Sequence, residues 1–251
     1  MTTRRLGNTL QAPRQKQRLQ LNIPLGSVRL LLPFFLLLFA TCNADASADS
    51  NNDNGGTASE AENVKTHLTT RDDVRDLVAH PAFKGFGDLL LPRDDNVSDY
   101  GTPLSDVASL MPYHGSVRAD EVLDAVNHMI DEVSKGRKVF YDIYTEQQKQ
   151  QDPAKRNTGL FFFRGNPNAP FAVLCPGGGF SYVGSLHEGF PLAQRISHSG
   201  LNAFVLRYRI GSEQNATGDL AASIAYIFQH ANALGVSTND YSLWGGSAGA
   251  R

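Results

Sequence analysis

Two short stretches of this sequence carry residues whose types and spacing can do chemistry. Gly245, Gly246, Ser247, Ala248 and Gly249 spell G-x-S-x-G, and Gly177, Gly178 and Gly179 lie together in CPGGGF. A serine on a sharp strand-to-helix turn has its hydroxyl pushed out of the backbone, and the residues two positions away must be small for the turn to close. Gly245 and Gly249 meet that demand. Ala248 follows the serine at the start of the next helix, where its N–H is free to act as an oxyanion donor. The three earlier glycines let the chain bend sharply and leave the amides of Gly178 and Gly179 unobstructed by side chains, so that they can face a developing negative charge. The chemistry this implies is nucleophilic attack by Ser247 on a carbonyl. A phosphate loop fails on spacing, because no G-x-x-x-x-G-K-[ST] occurs. A dinucleotide fingerprint starting at Gly177 would need glycine where Tyr182 stands. A merely structural turn remains an alternative for the glycine run taken alone.

The elements that must position these turns read as alternating strands and helices. Strand candidates rich in branched and aromatic residues fall at 138–144, 160–164, 171–175, 203–208 and 241–244. Helices are expected at 188–199, stopped by Gly200, and at 219–234, stopped by Gly235, with Leu220, Ile224, Ile227 and Phe228 inward. This order predicts an α/β fold with a mostly parallel sheet covered on both faces. The first two strands, joined by a polar stretch, can pair antiparallel at one edge. Both glycine turns then sit at carboxyl ends of strands, where open α/β sheets place their ligands.

Before the sheet the chain changes character three times. Residues 1–44 form a basic leader and an apolar run, LLLPFFLLLFA, followed by small residues. They read as a signal peptide for a secreted or periplasmic protein, with a retained membrane anchor as the alternative. Cys42 sits where lipidation would attach it to a membrane, but Phe39 and Thr41 suit a lipobox poorly. Residues 45–65 are polar and small and read as a disordered linker. Residues 66–136 read as a helical lead-in, clearest over 120–135, where Val122, Val126, Met129, Ile130 and Val133 share a face and Gly136 supplies a stop. Residues 137–251 carry the strand–helix alternation.

The formal net charge of -2 hides an uneven distribution: six basic residues precede the first acidic one, Asp45, leaving 17 basic residues against 25 acidic ones in the body. An acidic body without a basic patch argues against nucleic acid as a partner. Cys175 is the body's single cysteine, so no disulfide framework is available, and a buried apolar thiol is its simplest role. His67, His80, His114 and His128 show no metal-ligand spacing. Asn96-Val97-Ser98 and Asn215-Ala216-Thr217 fit the glycosylation sequon of a eukaryotic secretory route.

With these motifs in place, residues 138–251 resemble the first half of an α/β-hydrolase, in the lipase and esterase branch whose glycine-rich loop after the third strand forms the oxyanion hole. That branch typically has His-Gly-Gly-Gly. Here Pro176 takes the histidine's place, as in relatives with PGGGF or PGGGY that include carbohydrate esterase-like and peptidase-like hydrolases. The resemblance implies Ser247 as nucleophile, Gly178, Gly179 and Ala248 as oxyanion donors, an acyl-enzyme route without metal or organic cofactor, and an ester substrate of small-molecule or carbohydrate type. It leaves in doubt what braces the loop in the histidine's stead. In this superfamily the acid and the histidine follow the serine in chain order, whereas His187, His198 and His230 precede Ser247 and read as structural. The expectation is an N-terminal fragment of a longer hydrolase, with an exposed last strand, prone to aggregate and inactive by itself. A serine peptidase of the same fold and a non-catalytic binding module that keeps the fold are the alternatives.

Overall fold

The computed structural model describes residues 67–94, 96–112 and 117–251. The leader, the linker, Cys42 and His114 lie outside them. The lead-in opens with α1, Val74–Ala79, capped reciprocally: the Asp73 side chain accepts from Asp76 N–H and the Asp76 side chain accepts from Asp73 N–H. Short 3₁₀ turns follow, and then α2, Ala119–Ser134, which buries Val122, Val126, Met129 and Ile130 as its periodicity predicts, with Val133 only partly covered. Glu132, on the same helix, is buried against the Arg137 guanidinium, which holds its carboxyl below the usual range.

Among the described residues five strands form one sheet: β1 Phe140–Tyr141, β2 Gly159–Phe163, β3 Phe171–Cys175, β4 Asn202–Arg207 and β5 Ser242–Gly245, in the order β1-β2-β4-β3-β5. β1 and β2 pair antiparallel, as do β2 and β4, while β3 runs parallel to both β4 and β5. β1 is much shorter than the expected 138–144. Its continuation is drawn off the edge, because Tyr144 Oη donates to Asp219 (2.7 Å) and Thr145 caps the next helix, α3, Glu146–Gln151.

β2, β3 and β4 are buried along their whole length, which explains their unbroken apolar sequences. On one face Phe161, Phe163, Leu174 and Val205 pack with the lead-in and with α4, Phe190–His198; on the other, Phe162, Val173, Phe204 and Leu206 pack with Ile227 and Val236. α5, Glu213–Gln229, begins six residues before the expected start, because the Ser212 side chain caps it by accepting from Asn215 N–H. A short α6, Ala231–Leu234, ends at left-handed Gly235. Of the four residues expected inward on this helix, only Ile227 is fully buried, and Phe228 is 43% exposed. The face turned to the sheet is instead Asp219, Ser223 and Ile227, at helical i, i+4 spacing. Asp219 anchors it there by accepting from Tyr144 Oη and from the Arg209 guanidinium. β5 lies at the sheet edge, with Leu243 51% and Trp244 48% exposed.

Arg207 at the end of β4 is wholly buried. Its Nη2 donates to Asp94 Oδ1 at 2.8 Å, and among the described residues its Nε and Nη1 make no hydrogen bond. Asp94→Ala, which strips this cation of its carboxylate, is expected to cost roughly 3 kcal/mol in urea denaturation. A loss below about 0.5 kcal/mol, the size of an exposed pair, would show that the pair adds no more than a surface contact.

At the joint between α2 and α4, His128 stacks on Phe163 and meets His198 edge-on at 5.7 Å between ring centres. Burial pushes its pKa down, opposed by Glu132 and aided by His198 and Lys135, while Asp131 also favours the cation. Because the folded pKa lies below the unfolded one, the unfolded chain binds the extra proton. Stability from this group is complete above about pH 6.5 and declines as pH falls toward the folded value. His128→Gln is therefore expected to lose less melting temperature than the unsubstituted chain between pH 7.5 and 5.5. Equal losses would contradict this assignment.

Candidate active site

The site is built where β3 and β5 end side by side, with Cys175 opposite Gly245. After Cys175 the chain enters the glycine turn. Gly178 (φ 140°), Gly179 (φ 60°) and Phe180 (φ 59°) all take positive φ, and Ser181 N–H and Tyr182 N–H both donate to Gly178 O. Among the described residues the N–H groups of Gly178 and Gly179 make no hydrogen bond. Two side chains hold the turn from behind. The buried Tyr208 donates from Oη to Pro176 O at 2.7 Å, and Glu188 Oε2 accepts from Gly177 N–H at 2.5 Å. Burial raises the Tyr208 pKa, so it stays a protonated donor.

After Gly245 the chain turns again. Gly246 N–H donates to Cys175 O (3.2 Å), Gly249 N–H donates to Gly246 O (2.7 Å), and Ser247–Ala250 form one 3₁₀ turn. Ser247 is exposed with φ 49°, a left-handed conformation rare for a residue with a side chain. The flanking glycines are required by close approach: a β-carbon on Gly245 would collide with Gly249 O, and one on Gly249 with Cys175 O. Ala248 is buried directly after the serine.

The two turns touch. A β-carbon built on Gly177 would lie 3.1 Å from Ser247 Cβ and 3.1 Å from Gly246 O. Ser247, Gly178, Gly179, Tyr182 and Glu188, together with Arg93 and Pro112 of the lead-in, line a cavity of about 550 Å³. A second cavity, of about 630 Å³, opens on the other side of Glu188 between Pro176, Leu192 and the exposed Leu243 and Trp244.

Ser247 Oγ makes no hydrogen bond to a described residue. His187 Nε2 lies 3.7 Å from Glu188 Oε1, His198 packs on His128, and His230 Nδ1 meets Tyr226 O at 2.8 Å. The described part of the chain thus gathers Ser247 with Gly178, Gly179 and Ala248 but brings no histidine into hydrogen bond with the serine. Cys175 is buried, which raises its pKa to about 11 and leaves the thiol unreactive near neutral pH.

Glu188, Tyr208, Arg93 and Pro112 were not legible as site residues in the sequence. Tyr208 is one more aromatic at the end of a strand. Glu188 is an acid where a helix is expected to begin, a position that ordinarily needs only the helix dipole to explain it.

No protein-family profile matches the chain. An acetylxylan esterase of Xylanibacter ruminicola is 30% identical over 90 residues, 35% of this chain and 19% of that protein, so the chain spans about a fifth of the length of this curated relative. Among solved structures, MGS-M1, an α/β-hydrolase enzyme from a Medee basin deep-sea metagenome library, is 25% identical and covers 37% of this chain and 42% of its own, with a TM-score of 0.34. The apo form of Thermogutta terrifontis esterase 2 is 24% identical over 36% of this chain and 37% of its own (TM-score 0.34). An acetyl ester-xyloside bifunctional hydrolase from Caldicellulosiruptor lactoaceticus is 22% identical over 42% of this chain and 41% of its own (TM-score 0.39). The described residues form a five-stranded mixed sheet, antiparallel at its first edge and parallel at its last, with helices on both faces, which is the α/β architecture that the strand–helix alternation predicts.

Proposed function

We propose that this is a serine ester hydrolase acting through an acyl-enzyme, with Ser247 as nucleophile and the amides of Gly178, Gly179 and Ala248 as the oxyanion hole. The observation that carries the reading is the contact of the two turns: an exposed left-handed serine beside two glycine amides that, among the described residues, make no hydrogen bond. In this reaction Ser247 Oγ bonds to the ester carbonyl carbon and its proton passes to a base. The carbonyl oxygen takes the charge and is met by the amides, which are fixed before the reaction and need no reorganisation. Collapse expels the alcohol, which takes up the proton, and water then releases the acid by the same steps in reverse order. The base is a histidine held by an acid, roles that no described residue fills at Ser247.

Similarity to an acetylxylan esterase supports a short acyl group on a carbohydrate, and a cavity of about 550 Å³ is of the size that takes a small ligand. The basic leader and the apolar run that follows it support export, which would bring the enzyme to polymeric substrates outside the cell.

The test uses the gene product from start to stop codon. Hydrolysis of 4-nitrophenyl acetate and of acetylated xylo-oligosaccharides is expected, and Ser247→Ala should lower kcat at least about 10⁴-fold with the fold intact by circular dichroism. Turnover that survives this substitution would overturn the assignment.

A further inference from the structure

The glycine turn after β3 is held in part by a carboxylate, that of Glu188. Residues Ser185–Gly189 form a π-helical turn ahead of α4. Such a turn carries one more residue than an α-turn and redirects the side chains on it, which is why π-turns gather at functional sites. Here it is closed by Glu188 N–H and Gly189 N–H, both donating to Gly184 O. Gly184 N–H in turn donates to Gly177 O, so the π-turn and the glycine turn are tied by their backbones. The Glu188 side chain completes the tie, Oε2 accepting from Gly177 N–H at 2.5 Å.

The same oxygen reaches the second turn. It lies 3.1 Å from where a β-carbon on Gly177 would be and 2.9 Å from where one on Gly246 would be, so the two glycines leave the slot in which the carboxylate rests. Glu188 also borders both cavities that flank the turns. Glu188 thus touches the oxyanion turn by hydrogen bond and the nucleophile turn by packing.

We infer that Glu188 is a positioning residue: its carboxylate fixes Gly177 N–H and thereby aims the amides of Gly178 and Gly179 at the substrate carbonyl on Ser247. The inference rests on the reading of Ser247 as nucleophile. It differs from a role as general base, because what the turn uses is an acceptor oxygen, which an amide side chain also offers. It differs from a purely structural role, because misplaced donors cost transition-state stabilisation and leave substrate binding alone.

The experiment compares E188Q and E188A in the complete gene product with 4-nitrophenyl acetate as substrate. Exchange of the Gly177 amide proton is followed by NMR on protein labelled with nitrogen-15 glycine. E188A is expected to lower kcat about 100-fold with KM changed less than about twofold, and to speed Gly177 exchange at least about tenfold. E188Q should keep the slow exchange and at least about a third of kcat, since the hydrogen bond is retained. An E188Q variant as impaired as E188A would mean that charge or proton transfer matters, and the proposal falls. Unchanged Gly177 exchange in E188A, or a loss confined to KM, also overturns it. If E188A does not fold, E188Q decides by itself: slow exchange with retained kcat sustains the inference, and lost kcat ends it. If Ser247→Ala retains turnover, the nucleophile reading has failed instead, and Glu188 has no oxyanion turn to position.

Discussion

The site depends on one constraint: two parallel strands end level with each other, and the turns that leave them are pressed together. Cys175 pairs opposite Gly245, and the carbonyl of Cys175 then accepts from Gly246 N–H while lying against the bare α-carbon of Gly249. No side chain fits at Gly249, and none fits at Gly245 facing it. The left-handed backbone of Ser247 follows from this crowding. A residue with a β-carbon in that region costs about 1–3 kcal/mol, and the cost is met by the hydrogen bonds that close the turn on both sides. The serine is therefore presented by the packing of its neighbours, and its own contacts contribute little.

The lead-in takes part in the same assembly. Val183 N–H, just past the glycine turn, donates to Pro92 O, and two residues further along the lead-in Asp94 accepts from the buried Arg207 at the end of β4. The segment that carries Arg93 is thereby pinned where it forms one wall of the cavity in front of Ser247. Asn157 also donates to Asp94, Arg195 of α4 pairs with Glu121 of α2, and α1 and α2 share one apolar core with β2, β3, β4 and α4. Access to the serine is thus set by residues more than a hundred positions earlier in the chain, joined to the sheet by the pair that Asp94 makes with the buried Arg207 and by a continuous hydrophobic layer.

How much of this the sequence discloses follows from which interactions are local. β2, β3 and β4 are legible because strands buried on both faces must be apolar throughout, and the structure finds them within a residue or two of expectation. α2 is legible from its helical stripe. The length of β1 and the buried face of α5 are misjudged for one common reason, a polar side chain with a distant partner: Tyr144 leaves the sheet for Asp219, and Asp219 turns α5 so that Phe228 faces out toward Tyr241. The serine and the glycines are legible because their demands fall within five residues of chain. Glu188 and Tyr208 are not, because each acts on a turn 11 or 32 residues away, and nothing in their neighbours announces it.

Under the proposed acyl-enzyme route the turn would gather negative charge beside the Glu188 carboxylate, which calls for an electrostatic account. Two like charges some 5–10 Å apart at an effective dielectric near 20 repel by roughly 2–3 kcal/mol, enough to slow an acyl transfer by one to two orders of magnitude. Against that stands the strength of a charge-assisted hydrogen bond, roughly twice that of a neutral one, made to the first amide of the turn. Gly177 N–H takes up part of the carboxylate's field at its source, while the next two amides lie farther along the turn and, among the described residues, make no hydrogen bond. The arrangement favours catalysis only if rigidity of the turn is worth more than the residual repulsion. The slot left by Gly177 and Gly246 holds the carboxylate in a single place, which is the condition under which one hydrogen bond can set the geometry of the two donors that follow it.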